Sequence, residues 1–457
     1  MQGDSENYTR NQLTIMNKKT TGNQLDNDIS SATDKGKNAQ EKRFILTHRN
    51  ESPTELALQA ARYPDFDMPF VINQIEGWQT ARKKLPTWAA IDDIIYPPHL
   101  SLEQCSSEQT ARYKASLVSR LIGIQPVVCG HSQTTESQNR NKGTDCRPIL
   151  TDLTGGLGVD FSFMARGLRA TYVEKQPHLC QIARNNFRLL DLKQAEIIDG
   201  DGTNFLHKLE FSTIIYLDPA RRDNNGAKTV AIDDCTPNLL EIKDELVEKS
   251  KYAIAKLSPM LDWHKALEEL NESADIVREI HIVAVRNECK ELLFVMGKRQ
   301  DPLRLYCVND DETFTVELKN DAGNQETGLQ QEINIGDFLY EPNAAIMKAG
   351  CFGKLSVKYG AGFLSHNSHL FISADEIDDF PGRSFKIECI SSLNKKELKK
   401  NLKGIEAANI TTRNFPISVA ELRKKLKVKE GGENYIFATS DAKNNHLLLV
   451  CKKTKRR

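Results

Sequence analysis

One stretch constrains the fold more than any other: Leu150-Thr-Asp-Leu-Thr-Gly-Gly-Leu-Gly-Val-Asp160. An apolar run of Ile149, Leu150 and Leu153 is broken by three glycines in four positions, Gly155, Gly156 and Gly158. Apolar residues then recur at helical spacing over residues 159–168. The pattern reads as buried strand, tight turn and helix, the opening unit of an α/β nucleotide fold. Glycine admits a positive φ in such a turn and lets the backbone approach a ligand without interference from a Cβ.

The chemistry of the turn narrows the ligand. A dinucleotide fingerprint, G-x-G-x-x-G, would need glycine where Phe161 stands. Instead an acid, Asp152, closes the strand, which suits a cationic ligand better than a phosphate. Glu174 ends the next apolar run, Thr171-Tyr-Val-Glu, where a carboxylate can accept both ribose hydroxyls of an adenosine ligand. S-adenosylmethionine (SAM) joins an adenosine to a sulfonium and an ammonium and carries no phosphate. It is the expected cofactor, and a plain structural turn is the alternative reading.

Strand and helix patterns alternate beyond this unit. Helix is expected at 178–190, a third strand at 195–198, and a fourth at 211–217 ending in Asp218-Pro-Ala-Arg-Arg222. Helix at 237–249, strand at 252–257 and helix at 263–270 follow. Two strands, 280–285 and 292–296, are expected to close as a hairpin around 286–291. This predicts an α/β fold: a Rossmann-like, mostly parallel sheet with an antiparallel final hairpin.

Upstream, residues 1–42 are polar, with Tyr8 the only aromatic. They cannot bury enough apolar area to offset chain entropy, so a disordered tail is expected. Residues 43–102 hold amphipathic stretches at 54–62, 69–84 and 87–95 and read as a small helical N-terminal domain. The helix beginning near Glu103 carries Ser106 and, three residues on, Gln109, a capping-box pattern. The polar stretch 125–147 reads as a mobile insertion within a domain spanning 103–300. Residues 301–384 read as a linker plus a small module, and 385–457 as an α+β module with an S-x-x-E cap at Ser418.

Composition excludes some classes. No run approaches 18 consecutive apolar residues, so no membrane span is expected. The ten cysteines form no C-x-x-C pair, so no metal site is expected and free thiols in a reducing cytoplasm are the natural reading. Net charge is zero, yet residues 386–457 carry 18 Lys and Arg against seven Asp and Glu. A basic module on an acidic body suggests a polyanionic partner; a solvated lysine-rich surface would look the same.

Ligands of parallel sheets bind outside the carboxyl ends of the strands. Four such ends bear polar groups here: Asp152–Gly158, Glu174, Asp199–Asp201 and Asp218–Arg222. Asp201 is placed for an adenine amino group. Asp218, held rigid by Pro219, could accept hydrogen bonds from a target amine as charge develops on its nitrogen.

Taken together, E-Q-C-S-S-E-Q-T-A-R-Y-K, D-L-T-G-G-L-G-V-D, Y-V-E and D-P-A-R-R resemble a bacterial family of class I SAM-dependent methyltransferases that carry a THUMP-like C-terminal domain. The segment 338–382 is similar to the ferredoxin-like piece that precedes that domain. The resemblance implies SAM at Asp152, Gly155, Gly156, Gly158, Glu174 and Asp201, with Asp218 and Pro219 facing the substrate. Related enzymes bring the preceding helix to the methionine end, so Gln104, Ser107 and Thr110 are added as cofactor contacts. THUMP proper binds RNA, which implies a structured RNA partner, tRNA or rRNA. Where base-amino methyltransferases show [DN]-P-P-[YFW], this chain has D-P-A-R; Arg221 and Arg222 could stack on a base or grip a phosphate. The expected function is SAM-dependent methylation of RNA, with a base amino group as the candidate target. A protein or small-molecule methyltransferase, or a non-catalytic RNA binder retaining a SAM pocket, are the alternatives.

Overall fold

The computed structural model describes residues 39–97, 99–123, 148–221, 232–298, 301–318, 331–365 and 367–454. The expected insertion 125–147 and most of the expected tail lie outside them. Residues 39–42, counted with the tail from sequence, are instead helical, in a helix that runs to residue 48. Glu41 ties this segment to the next helix: its buried carboxylate accepts the Asp67 backbone N–H at 2.7 Å.

The strands, in chain order, are β1 (Ile149–Asp152), β2 (Arg169–Glu174), β3 (Ala195–Asp199), β4 (Ser212–Leu217), β5 (Ala220–Arg221), β6 (Cys235–Thr236), β7 (Ser250–Leu257), β8 (Val277–Val285) and β9 (Glu288–Met296). Then come β10 (Leu303–Asn309), β11 (Glu312–Leu318), β12 (Phe338–Pro342), β13 (Gly362–Phe363), β14 (Phe371–Ser373), β15 (Gly382–Ser391), β16 (Asn409–Thr412), β17 (Asn434–Ser440) and β18 (His446–Lys453). Nine of them form one sheet in the order β11-β10-β8-β9-β7-β4-β1-β2-β3. The pairs β2–β3, β1–β4 and β4–β7 are parallel, and β9 runs antiparallel to both β7 and β8.

Two features differ from the sequence expectation. The β8–β9 hairpin turns tightly at Arg286 and Asn287, both at positive φ, so residues 288–291 belong to β9 rather than to a loop. The sheet also continues past that hairpin, because β10 adds parallel to β8 and β11 folds back on it.

By contacts the chain divides into two units. One takes Met1–Arg147 and Gly155–Asp201, the other Pro148–Thr154 and Gly202–Arg457. In the first, the N-terminal helices bury Phe44, Leu56, Met68, Val71 and Ile75 together. The expected 87–95 helix is only a turn, Pro86–Ala89, and the following segment is pinned by buried Asn186. Its carbonyl accepts the Ile95 N–H and its amide donates to the Ile95 carbonyl, each at 2.9 Å.

In the second unit, the core of β4, β7, β8 and β9 continues without a break into Tyr340, Ala345, Ile346, Leu355, Phe371 and Phe380. A second sheet follows, ordered β13-β14-β12-β15-β18-β17-β16. The helices Lys395–Asn401 and Val419–Leu426 pack Leu398, Leu402, Leu422 and Leu426 into one apolar cluster with Ile436, Leu448 and Val450. The expected cap at Ser418 is a full reciprocal capping box with Glu421.

Candidate active site

The glycine turn is shaped by aromatic rings. Tyr172, fully buried on β2, lies so close that a Cβ on Gly155 would sit 2.2 Å from its ring. A Cβ on Gly158 would meet Phe187 at 2.6 Å, and φ there is +79°. Phe161, Tyr172 and Phe187 pack mutually, edge-on or stacked, within 5.5 Å between centroids. Gly156 has φ +58°. Its carbonyl accepts the Tyr172 hydroxyl and its N–H donates to Glu174 Oε2 at 2.7 Å. The other carboxylate oxygen of Glu174 accepts the Gln176 N–H at 2.8 Å. A carboxylate has about four lone-pair sites, so Glu174 is oriented by two backbone donors and keeps acceptor capacity for hydroxyls. Asp201, exposed, follows β3 immediately before the helix Gly202–Lys208.

Cys180, beside this turn, is fully buried, and its thiol points at the Glu174 carbonyl, 3.3 Å away. Burial, with the charges of Asp199 and Glu174, pushes that thiol above its ordinary pKa. It is a packing residue.

The helix expected from Glu103 is in fact two. His99–Gln104 ends, and Glu108–Ile122 begins with Ser107 as its cap, accepting the Thr110 N–H at 3.2 Å. Ser106 is therefore not the cap. Its hydroxyl is taken by Asp160 Oδ2 at 2.8 Å and by Lys114 Nζ at 3.2 Å. Lys114, wholly buried, also reaches Asp160 Oδ1 at 3.2 Å. The chain before the glycine strand is thereby tied to the first turn of the helix Val159–Met164. Of the expected cofactor contacts there, Gln104 is exposed, Ser107 is the cap, and Thr110 is buried with its hydroxyl donating to the Ser107 carbonyl at 3.1 Å. At the head of the same helix, burial would raise the Glu108 carboxyl. The opposing hydrogen bonds from Thr87 and Arg112 win and hold it below its usual value.

In the second unit, Asp152 is buried and its carboxylate accepts the Thr154 N–H at 3.0 Å. The Thr154 hydroxyl in turn accepts the Asp218 N–H at 2.6 Å. Pro219 is buried behind it. The Asp218 side chain is 41% exposed and is paired with Lys256 Nζ at 2.5 Å. Lys256, near the end of β7, is only 13% exposed. Neither Thr154 nor Lys256 emerges from sequence reasoning. The signal for Lys256 was a lysine breaking the apolar run Ala253-Ile-Ala-Lys-Leu257. The Arg221 side chain and Arg222 lie outside the described residues.

The residues present fit SAM by their chemistry. Carboxylates at strand ends favour hydroxyls and cations and would repel a pyrophosphate, and the turn bears no lysine or arginine. Among the described residues no cluster of ligands could hold a metal, and no helix is long and apolar enough to cross a membrane.

Comparison with known proteins bears on the whole chain. Residues 338–381 match the family described as a ferredoxin-like domain, and residues 382–453 the family described as THUMP domain-like. The crystal structure of a candidate methyltransferase from Porphyromonas gingivalis W83 is 31% identical. The match covers 91% of this chain and 98% of that one, with a TM-score of 0.75. More distant are a SAM-dependent methyltransferase from Agrobacterium tumefaciens (17% identity, 43% of this chain and 64% of that one, TM-score 0.27) and an O-methyltransferase from Bacillus cereus solved with SAH (17%, 48% and 91%, 0.30). Resemblances that distant decide nothing further. No curated protein sequence matches.

Proposed function

The chain belongs to the class I SAM-dependent methyltransferase family with a THUMP-like C-terminal domain, and from that premise we propose that it methylates a structured RNA, tRNA or rRNA. SAM supplies an electrophilic methyl group on a sulfonium. Asp152, Gly155, Gly156, Gly158, Glu174 and Asp201 hold it, with Gln104, Ser107 and Thr110 toward its methionine end. Glu174 takes the ribose hydroxyls in this reading, because two backbone N–H groups already aim its carboxylate. Asp218 faces the substrate, its backbone fixed by Thr154 and Pro219, so most of the rate comes from positioning.

The observation that carries the RNA reading is the lysine-bearing face of the THUMP-like module. Lys395, Lys396, Lys399, Lys400 and Lys403 on or beside one helix, and Lys424, Lys425, Lys427 and Lys429 on or beside the other, are all exposed. Both helices bury their leucines in the same cluster, so these charges form a surface for phosphates. A protein or small-molecule acceptor would leave that surface without a role. The reading is tested by nucleoside mass spectrometry of RNA from a strain lacking the protein. One methylated nucleoside should disappear; an unchanged nucleoside profile would refute it.

A further inference from the structure

Asp218 does not stand at its strand end alone, and its partner changes the chemistry the site can do. Lys256 Nζ lies 2.5 Å from Asp218 Oδ2 and is the more buried of the two. In the β7–β9 ladder Lys256 is opposite Leu293, which puts Glu291 on the same face as its diagonal neighbour. Glu291 is itself buried, at 2% exposed. An ion pair with one partner 41% exposed adds little to stability, so stability alone is a weak reason for a lysine inside this apolar strand.

An amine acceptor has no use for this lysine. Its nitrogen attacks with a lone pair already available and becomes cationic, so an ammonium held on its hydrogen-bond acceptor would oppose the developing charge. A hydroxyl acceptor has the opposite need, because it must lose a proton to become a competent nucleophile. An amine is a far stronger base than a carboxylate. The strand end also lacks the aromatic residue that would stack a target base, since Ala220 and Arg221 follow Asp218-Pro219. The hydroxyl that distinguishes RNA is the ribose 2′-OH.

We propose that the methyl acceptor is a ribose 2′-hydroxyl of RNA and that Lys256 removes its proton, with Asp218 as the residue that positions Lys256. The proposal rests on the RNA methyltransferase reading above. The resting ammonium of the Lys256–Asp218 pair first gives one proton to solvent; the free amine then donates one hydrogen to Asp218 and offers its lone pair to the hydroxyl. The 2′-O–H bond breaks with the proton passing to Nζ. The ribose oxygen bonds to the methyl carbon as the methyl–sulfur bond breaks, and that electron pair stays on sulfur as a neutral thioether. Lys256 is left as an ammonium against Asp218, whose attraction therefore strengthens as the proton moves. Glu291 adds a second carboxylate to the same face.

The test uses the full chain, SAM with an isotopically labelled methyl group, and bulk tRNA and rRNA from a strain lacking the protein. Label should appear in nucleosides whose ribose fragment carries the extra mass, in linkages that resist alkaline hydrolysis. Lys256→Arg keeps the charge and cannot serve as the base. It should slow single-turnover transfer by about a hundredfold or more, with RNA and SAM affinities unchanged. Label on a base fragment, or a Lys256→Arg enzyme as fast as wild type, would overturn this inference and leave the RNA reading standing. No label in any RNA would overturn both.

Discussion

Gly155 and Gly156 are adjacent yet answer to different demands. Gly155 is glycine because the Tyr172 ring occupies the space its Cβ would need, 2.2 Å away. Gly156 is glycine because its φ is +58° while its N–H and carbonyl are both engaged, by Glu174 and Tyr172. Gly155→Ala should therefore lower stability, by about 1–3 kcal/mol as overpacking does, and Tyr172→Phe should not rescue it because the clash is with the ring. Gly156→Val should abolish SAM binding, read by calorimetry, since a branched residue strains positive φ in the turn proposed to hold SAM. Equal loss of stability with unimpaired SAM affinity in Gly156→Val would count against the assignment.

Glu108 supplies a prediction of its own. Thr87 donates its N–H to Glu108 Oε2 at 2.7 Å and its hydroxyl to Oε1 at 2.6 Å. The carboxyl is held below its ordinary value of 4.5, so this pair of bonds is fully stabilising above about that pH and weakens as pH falls through the lower folded-state value. The protection factor of the Thr87 amide should fall in that acidic window, and Glu108→Gln should flatten the dependence. Protection that does not change below pH 4.5 would show that the carboxylate does not hold this turn.

At the scale of elements, the core strands were readable because each is a short apolar run ended by a polar turn. What escaped was decided by residues distant in sequence. The capping pattern pointed to Ser106 because Gln109 lies three residues on, but Asp160 claims that hydroxyl and Ser107 caps instead. Strands β10 and β11 were missed because their alternation is half-exposed, and their Asp310-Asp311 turn gave no glycine or proline signal. Asp218 could be picked out from sequence as a candidate because it ends an apolar strand, whereas its pairing with Lys256 depends on how β7 registers beside β4. The two lysine-bearing helices carry the element-scale prediction. Replacing Lys395, Lys396, Lys399 and Lys400 with glutamine should weaken RNA binding and reduce the salt slope by roughly 0.7–0.9 for each phosphate no longer neutralised. Binding curves with an unchanged slope would mark those lysines as solvated surface only.

At the scale of the whole molecule, one apolar core within the second unit runs from β4, β7, β8 and β9 into the ferredoxin-like piece. Polar ties reinforce it: Trp263 Nε1 donates to the Lys348 carbonyl at 3.2 Å, and the Ala344 N–H donates to Asn287 Oδ1 at 2.7 Å. Part of the positive charge beyond is committed internally, since Arg383 and Arg413 both grip the buried carboxylate of Glu341. The exposed lysines of the two helices are the charges on which the RNA proposal rests. The central claim is that this chain transfers a methyl group from SAM to RNA, and its most direct test is transfer itself. Purified protein, SAM with a radiolabelled methyl group and total RNA from a strain lacking the protein should yield acid-precipitable label that ribonuclease releases and protease does not. Label that survives ribonuclease but is released by protease, or no precipitable label at all, would contradict the account.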